Sequence, residues 1–563
     1  MTIKKKPVDV VKTDVLVIGG GGAGMMAALE AHNNGCEGIL VDKGIPSREC
    51  ATLMAKQLAA AGPWSYPFDS PEKHMRDTLE SGCFINNMEL VDLFVNQAAP
   101  TILCLEEMGM LFQRDQSGET FLSGGQPPGH SYPRSLFYGE ITGKMIIDTL
   151  RRNALKQGIT LLSDILVTRL LVEDARVKGA LAWNVAHGDI QVLLANAVIL
   201  ATGGCGQLYP ITSNPLQSTG EGYCLGFEAG AELMDMEMFQ FFPISLVYPE
   251  FLRGLNMNIR GRLLNSNMER FMEKTDPVHL ENVTRDKLAQ AVYWQIKKGL
   301  HTTHGGVYLD ASGFAPEVYD KQYPTEYNYC LEAGLDLKKD LVEVAPASHF
   351  MMGGVKIDTS CRTSVKGLFA AGEVAGGLHG ANRLANNALM DIFVFGKIAG
   401  KNAREAALQE KIEPPSREVI EEAVQEINSV MQPKKEVVRG YHIKQKVRHL
   451  MWSKVGVIKE VSHLQEGIEK LKHINEVDII NLGITTSSKA FNRDIVEALE
   501  ALSMAKLALI IAKSALMRKE SRGAHYMEDY PFQDDERYVK NVVAIKNSNG
   551  TAEFALVPVV RKA

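Results

Sequence analysis

The chain contains 563 residues, of which 45% are hydrophobic and 23% are charged. This length exceeds what one hydrophobic core normally supports, so we expect roughly two to four domains. The 61 basic residues against 67 acidic residues give a net charge of −6. Without a basic excess, the composition argues against nucleic-acid binding and favours a globular enzyme.

The first structural pattern along the chain is a strand, a glycine-rich turn, a helix and a second strand. These are predicted at Asp14–Ile18, Gly19–Gly24, Met25–Asn33 and Gly38–Asp42. This order within a short segment is typical of a dinucleotide-binding unit, in which the helix N-terminus faces a pyrophosphate. The sequence therefore predicts a Rossmann-like cofactor domain at the start of the chain.

Individual residues of this unit have predicted tasks. Gly19 forms the tight turn, Gly21 lets the backbone approach the pyrophosphate, and Gly24 lets the helix pack closely on the strand. Asp42 ends the second strand, where its carboxylate can accept hydrogen bonds from ribose hydroxyls. Gly22, Ala23 and Lys43 lie in the same two turns and are predicted to contact the cofactor.

The eight cysteines are scattered along the chain and form no C-x-x-C pair. This spacing argues against an iron–sulfur cluster or a zinc ribbon carried by this chain. The cysteines are interpreted as reduced, mostly buried thiols of a cytoplasmic protein. The apolar late segment Ala501–Met517 contains Lys506 and Lys513, so it is predicted to be an amphipathic helix and not a membrane span.

The chain order predicts an α/β fold with an insertion and a helical C-terminal domain. Apolar strands that end in glycine recur at Ala197–Gly204 and Gly367–Gly372, whereas the alternation breaks between them. We predict a cofactor domain in two parts, an inserted α+β capping domain, a helical bundle and a C-terminal tail. Their expected bounds are 1–235 and 351–412 for the cofactor domain, 236–350 for the cap, 413–520 for the bundle and 521–563 for the tail.

Further along the chain, motifs occur at Gly129–Arg134, Ala201–Gly204, Thr219–Gly222, Thr284–Asp286, His349–Gly354, Gly372-Glu373, Leu378–Leu384 and Ser521–Pro531. Together they resemble signatures of the succinate dehydrogenase/fumarate reductase flavoprotein family, which also includes L-aspartate oxidase and adenylylsulfate reductase. The resemblance covers nearly the whole chain and implies FAD as the cofactor. It adds Ala201, Thr202, Gly203, Glu373, Asn387 and Leu389 to the predicted flavin contacts.

The resemblance also implies a reaction and the residues that perform it. In this family a hydride moves between flavin N5 and the carbon–carbon bond of a carboxylic acid. Arg383 and His349 match the residues that bind a carboxylate, Arg285 matches the proton donor, and Arg260 matches a member of the proton relay. Because no cluster motif is present, the expected electron partner is a separate iron–sulfur subunit, through which the assembly could lie at the inner membrane.

This sequence departs from the family pattern at the far end of the substrate pocket. Phe242 stands where the family has a histidine, and Asn256 and Met257 stand where it has a threonine and a glutamate. A phenyl ring cannot donate a hydrogen bond to a carboxylate. Two interpretations remain open: the substrate has a less polar distal group than fumarate or succinate, or Asn256 or Arg262 supplies another donor.

Other departures concern the flavin. The segment Arg48–Thr52 lacks the histidine that forms a covalent flavin link in membrane-complex members, so we expect non-covalent FAD. A thioether link through Cys50 is the less favoured alternative. Lys56-Gln57 replaces a family Gly-Gly pair, and Ala388 replaces a serine, which changes the predicted contacts with the flavin ring.

Two further functions are compatible with the sequence. The chain could be an oxidase similar to L-aspartate oxidase, although the altered distal pocket argues mildly against a substrate with two acidic groups. It could also be an electron-transfer or scaffolding subunit with a decayed pocket, which Phe242 and Met257 favour and Arg285, His349 and Arg383 oppose.

Overall fold

The computed structural model describes residues 9–32, 35–65, 67–116, 118, 121–409, 413–432 and 434–562. Seven strands form its largest sheet. In spatial order they are Thr160–Leu162, Gly38–Val41, Asp9–Ile18, Asp189–Leu200, Arg176–Asn184 and Ile165–Glu173, with Leu368–Ala370 also paired to Asp189–Leu200. The first four strands and Leu368–Ala370 pair in parallel, and the last two join through antiparallel pairs. The fold is α/β, as predicted.

The first strand begins earlier than its sequence pattern indicates. It starts at Asp9 and not at Asp14, because it pairs in parallel with Asp189–Leu200 along most of its length, with Asp9 opposite Gln191. The following helix spans Gly22–Ala31, so it also begins before the predicted Met25, and the predicted end at Asn33 lies outside the described residues. Pairing with a distant strand therefore accounts for the early start of the first strand.

Close contact between two helices stabilises the cofactor domain. Helix Asn387–Gln409 packs against helix Gly22–Ala31. A Cβ atom at Gly396 would lie 2.8 Å from the Ala23 carbonyl oxygen, and one at Gly400 would lie 2.4 Å from the Ala27 carbonyl oxygen. Any larger residue at Gly400 would push the helices apart, because protein interiors have little free volume.

Four further helices surround the main sheet. They are Pro71–Ser81, Met88–Glu107, Thr142–Lys156 and Glu221–Glu228. Met88–Glu107 is the one helix of the described residues that is long and apolar enough to span a membrane, and 44% of its apolar window is buried inside the protein. Its side chains Leu90, Phe94 and Ile102 lie in the main hydrophobic core, as expected for a core helix. A short antiparallel pair, Leu58–Ala59 with Ser135–Leu136, lies beside these helices.

The predicted capping region forms its own sheet and its own core. Its four antiparallel strands are, in spatial order, Phe239–Leu246, Val342–Met351, Val307–Asp310 and Arg262–Leu264. The α-helices of this region are Met272–Thr275, Arg285–Lys297 and Pro324–Glu332, and a π-helix spans Val318–Gln322. A separate hydrophobic cluster that includes Leu263, Val292 and Val344 fills the space between the sheet and the helices.

The C-terminal region is helical and then returns to the cofactor domain. Its longer helices are Arg417–Met431, Gly440–Lys454, Val461–Glu476 and Arg493–Met517. The last of these contains the predicted helix Ala501–Met517 and buries most of its residues. It packs against the other three, as expected for a bundle.

The tail adds two strands to a second sheet of the cofactor domain. Strands Lys540–Lys546 and Ala552–Pro558 form a hairpin, and the first of them pairs with Leu233–Met234. Gly354–Lys356 and Ala375–Gly376 complete this five-stranded sheet. The tail is therefore integrated into the cofactor domain, which its sequence did not indicate.

A buried ionic network fixes the same junction. Arg518 is fully buried, and its guanidinium group donates to Glu237 at 2.6 Å and to Glu520 at 3.0 Å. Glu520 also accepts from Arg522 at 2.7 Å. Removing one member of such a network leaves buried charge without a partner, so these contacts specify how the tail docks.

Candidate functional site

The glycine-rich turn has the geometry that a bound diphosphate requires. Gly19 has a φ of +111°, which side chains rarely adopt, and a Cβ atom there would lie 2.3 Å from the Ala201 carbonyl oxygen. A Cβ atom at Gly24 would lie 1.8 Å from the Gly19 carbonyl oxygen. At Gly21 the nearest atom would be 3.6 Å away, so the space beside this glycine is not crowded. The turn therefore leaves room for an anion beside Gly21 at the start of the helix, although the Gly22 amide already donates to the Thr52 hydroxyl at 3.1 Å.

Asp42 and Lys43 both line this part of the site, but each already has protein partners. The Asp42 carboxylate accepts from the Gly20 amide at 2.6 Å and from the Gly44 amide at 2.8 Å. Burial raises the pKa of Asp42 above its ordinary value. The Lys43 ammonium group forms ion pairs with Glu221 at 2.7 Å and with Glu500 at 3.0 Å. Lys43 thus ties the turn to the helical domain, and its charge is neutralised there.

The opposite wall contains polar groups that can receive a ligand. The Thr202 hydroxyl is buried without a hydrogen bond, and Gly203 has a φ of +74° with open space where a Cβ atom would lie. The Glu373 carboxylate accepts from the Met351 amide at 3.0 Å, and burial raises its pKa to about 7. An unsatisfied hydroxyl and an open glycine indicate a polar ligand in this wall, which fits the ribityl and diphosphate groups of FAD.

These elements belong to one cavity of about 1780 Å³, which runs from the glycine turn to the capping region. Nearly all the predicted flavin contacts line it; these are Gly19, Gly21, Gly22, Ala23, Asp42, Lys43, Ala201, Thr202, Gly203, Glu373 and Leu389. Gly24 acts instead in helix packing. Asn387 departs from the expectation: it is fully buried outside the cavity, and its amide bonds with His74 at 2.9 Å and Thr78 at 3.0 Å.

Arg383 is held in the cavity wall by contacts with the cap. Its guanidinium group donates to the Gln240 side-chain oxygen at 3.0 Å and lies 4.5 Å from the centre of the Phe350 ring. Its Nε atom is buried without a partner. Burial lowers the pKa of Arg383 to about 10, although the charges of Glu373 and Asp391 oppose this shift. The side chain keeps a positive charge and an unused donor.

Arg285 is the first residue of its helix and faces the same cavity. Burial, together with the positive charges of Arg383 and Arg260, lowers its pKa to about 9. Its guanidinium carbon lies 5.0 Å from the centre of the Phe242 ring. Arginine ordinarily has a pKa too high for acid catalysis, and this environment moves Arg285 towards the useful range.

A polar network fixes the two arginines relative to each other. The Asn382 amide donates to Asp286 at 3.3 Å, and the Gln240 amide donates to Asn382 at 2.7 Å. Asp286 and Asn382 adjoin Arg285 and Arg383 in the chain. The network therefore joins the helix start, the edge strand of the cap sheet and the loop that precedes helix Asn387–Gln409.

His349 lies on the inner cap strand Val342–Met351. Burial, followed by the charges of Arg383 and Arg285, holds its pKa well below its ordinary value. Its Nδ1 atom lies 2.8 Å from the Ser213 hydroxyl oxygen. The Ser213 hydroxyl also lies 3.3 Å from the Ser348 carbonyl oxygen, and its single proton can go to only one of these two acceptors. In the tautomer in which Ser213 donates to Nδ1, the ring proton resides on Nε2, which can donate to a ligand.

Arg260 also lines the cavity, and its hydrogen bonds go to backbone groups. Its guanidinium group donates to the carbonyl oxygens of Glu281 at 2.9 Å and Val283 at 2.8 Å. Burial lowers its pKa. Met257, at the position of the family glutamate, is fully buried in the core of the cap and supplies no charge.

The two candidate donors for the distal pocket are placed differently. Asn256 lines the cavity, and its side-chain oxygen accepts from the Ser245 hydroxyl at 2.7 Å, which leaves the amide nitrogen available to a ligand. Arg262 does not line the cavity, and it forms an ion pair with Asp310 at 2.5 Å. The Phe242 ring lies 5.4 Å from that of His349 and fills the position of the family histidine.

The residues that replace the family pattern near the flavin ring are also in the wall. Lys56, Gln57, Cys50 and Ala388 all line the cavity. Burial raises the pKa of the Cys50 thiol to about 11, so it is a poor nucleophile at neutral pH. Lys56 forms ion pairs with Glu140 at 3.3 Å and Glu326 at 3.2 Å. Sequence reasoning had not identified Glu326, whose burial becomes visible only when the cap is folded.

Comparisons with known proteins agree with this geometry. Residues 14–389 match the FAD binding domain family, and residues 444–563 match the fumarate reductase flavoprotein C-terminal family. The chain is 39% identical over 533 residues to a fumarate reductase (CoM/CoB) subunit of Methanothermobacter marburgensis, a match that covers 93% of this chain and 95% of that protein.

Two further proteins extend the comparison. The fumarate reductase flavoprotein subunit of Mycobacterium tuberculosis is 33% identical over 571 residues, with 97% of each chain covered. A quinol fumarate reductase structure from E. coli superimposes with a TM-score of 0.91 at 29% identity, covering 99% of this chain and 98% of that one. The protein is thus an FAD-dependent oxidoreductase, and it belongs to the fumarate reductase/succinate dehydrogenase flavoprotein family.

Proposed function

We propose that this chain transfers a hydride between FAD and the carbon–carbon bond of a dicarboxylic acid. The observation that carries the proposal is the set of three cavity-lining guanidinium groups, Arg260, Arg285 and Arg383. Among the described residues none of the three forms an ion pair with a carboxylate. Positive charge in a partly closed cavity is costly unless an anion matches it. A substrate with acidic groups meets that requirement.

Each residue has a proposed task in this reaction. FAD, when bound, supplies and accepts the hydride. Arg383 and His349 bind one carboxylate, which makes the adjacent double bond more electrophilic. Arg285 donates the proton to the neighbouring carbon during reduction and receives it during oxidation. The cap excludes water around these groups, which strengthens their electrostatic effect.

Steady-state turnover tests the proposal. The purified holoprotein, supplied with reduced viologen, should convert fumarate to succinate, and with an artificial acceptor it should oxidise succinate. The L-aspartate reaction provides the contrast, since an amino-acid oxidase would act on aspartate with oxygen. Failure to act on fumarate and succinate would exclude the proposed function.

A second acidic group of the substrate is proposed to bind Asn256. We expect Asn256→Ala to raise the KM for fumarate by about 10-fold to 150-fold, because a hydrogen bond to a charged group contributes about 1.5–3 kcal/mol. Turnover of crotonate, which has one carboxylate, should change little. If the KM rose equally for fumarate and crotonate, Asn256 would not be the residue that binds the distal carboxylate. The result would then favour a substrate with a less polar distal group.

The flavin is proposed to bind without a covalent link. The segment Arg48–Thr52 contains no histidine, and burial raises the pKa of the Cys50 thiol. Acid precipitation should therefore release all the flavin into the supernatant, as absorbance and mass spectrometry of both fractions would reveal. Flavin that stays with the denatured chain would contradict this, and Cys50→Ser would then identify or exclude the thioether.

The electron partner is proposed to be an iron–sulfur subunit. The name of the Methanothermobacter relative describes one subunit of an enzyme, which supports a multi-chain assembly. The cysteines of this chain are free thiols, and most of them are buried. Affinity purification from the native source should recover a second chain with bound iron and acid-labile sulfide in a fixed ratio to FAD. Recovery of this chain alone, with full activity towards a natural electron donor, would contradict the proposal.

A further inference from the structure

Met257 stands where the family has the carboxylate that recharges the proton donor. After Arg285 gives its proton to a substrate carbon, another group must return one before the next turnover. Met257 occupies the family position of that carboxylate and is 0% exposed inside the core of the cap. Arg260 is the remaining predicted member of the relay, and its hydrogen bonds go to two backbone carbonyl groups. A different proton source is required.

Tyr323 lines the same cavity as Arg260 and Arg285. It directly follows the π-helix Val318–Gln322, and short π-helical segments occur frequently at functional sites. No described residue forms a hydrogen bond with its hydroxyl group. Burial and the charge of Glu326 raise the pKa of Tyr323, and the positive charge of Arg260 opposes this shift. The phenol is therefore without a described hydrogen-bond partner. Its segment is tied to that of Arg260, because Glu326 accepts hydrogen bonds from the backbone and the side chain of Asn258.

Glu326 acts on Tyr323 electrostatically, but its carboxylate already has hydrogen-bond partners. Its carboxylate accepts from the Asn258 amide at 2.8 Å, from the Asn258 side chain at 2.7 Å and from Lys56 at 3.2 Å. Because both oxygens are bonded, we assign Glu326 the task of positioning the segment that carries Arg260. Lys321 and Gln322, which are exposed, line the same side of the cavity, so water reaches Tyr323 from there.

We propose that Tyr323 is the proton donor that recharges Arg285 through Arg260, a role that rests on the proposed function. Protonated Arg260 transfers a proton to neutral Arg285, and the Tyr323 hydroxyl group then transfers its proton to Arg260. The resulting phenolate takes a proton from water at the cavity mouth. The net result is one proton moved from solvent to the substrate carbon, with no change of oxidation state in any residue.

The test separates the first turnover from later ones. In Tyr323→Phe, Arg285 already carries its proton, so reduced enzyme mixed with excess fumarate should form its first equivalent of succinate at the wild-type rate. Steady-state turnover should then fall by about 10²-fold, the scale of a lost proton-transfer group, with a larger solvent deuterium isotope effect. A defect in structure alone would slow both phases and leave the isotope effect unchanged.

Binding measurements and a matched tyrosine complete the design. Tyr329 lines the same cavity and is 43% exposed, and Tyr329→Phe should behave as the wild type in both phases. FAD content and the Kd for fumarate, measured by calorimetry, should be equal in all three proteins. Full steady-state activity of Tyr323→Phe would overturn the relay while leaving the proposed function intact. A wild-type protein that does not reduce fumarate would overturn both.

Discussion

Arg285→Gln should lower the rate of fumarate reduction by about 10³-fold to 10⁴-fold while the protein keeps its FAD, because general acid catalysis contributes on this scale. Glutamine retains a hydrogen-bond donor on a shorter side chain, and it cannot supply a proton. The environment of Arg285 lowers its pKa to about 9, so the wild-type side chain is a usable acid. The loss should appear in kcat more than in KM.

Arg262→Gln is the matched control for this experiment. Arg262 lies outside the cavity, and its side chain is 57% exposed in an ion pair with Asp310. Its replacement should leave turnover unchanged. If Arg285→Gln retained most of the wild-type rate, or lost activity only together with its flavin, the assignment of Arg285 as the proton donor would be wrong.

The same pKa predicts a pH dependence. An acid must be protonated to act, so kcat for reduction should fall as pH rises through about 9, where Arg285 loses its proton. The pH profile of kcat should show no change near the ordinary pKa of histidine, since burial and two arginines keep His349 neutral there. A profile that instead changes near a pH of about 6.5 would indicate that a histidine with an ordinary pKa controls the rate.

Arg383→Gln should have the second large effect, on substrate capture. Removing one partner of a buried charge pair costs about 2–5 kcal/mol, so kcat/KM for fumarate should fall roughly 30-fold to 5,000-fold. The same change removes a positive charge that lowers the pKa of Glu373. The pKa of this carboxyl group should therefore rise, and the group should stay protonated up to a higher pH than in the wild type.

Flavin function provides the control for Arg383→Gln. Reduction of the flavin by dithionite and reoxidation by ferricyanide need no carboxylate clamp, so both should proceed as in the wild type. Loss of these reactions together with fumarate turnover would mean that Arg383 mainly supports flavin binding. Binding of fumarate with unchanged Kd would exclude Arg383 as its ligand.

The cofactor turn was predictable because its physics is local. The strand, the glycines and the helix are adjacent in the chain, and each glycine has one steric task that the pattern itself specifies. The structure has this geometry at Gly19, Gly21 and Gly24. The earlier helix start at Gly22 is the small difference, since helix bounds are poorly determined by pattern alone.

The rest of the site depends on contacts between distant segments. The pairing of Arg383 with Gln240, and of Asn382 with Asp286, joins residues that lie far apart in the chain. No local sequence pattern reveals such contacts. The contacts of Glu326 with Asn258 and Lys56 are likewise visible only in the folded structure. A family resemblance also does not specify the partners of an individual side chain. It implied that Asn387 contacts the flavin, but the Asn387 side chain forms hydrogen bonds with His74 and Thr78.

Titration of the oxidised holoprotein with fumarate, followed through the flavin absorbance spectrum, tests most directly whether a flavin and an organic acid share this cavity. We predict that the purified protein is yellow, that fumarate perturbs its flavin bands saturably, and that Arg383→Gln weakens this response without loss of flavin. A colourless protein that cannot be reconstituted with FAD, or a flavin spectrum that fumarate leaves unchanged at every concentration, would contradict the proposed site.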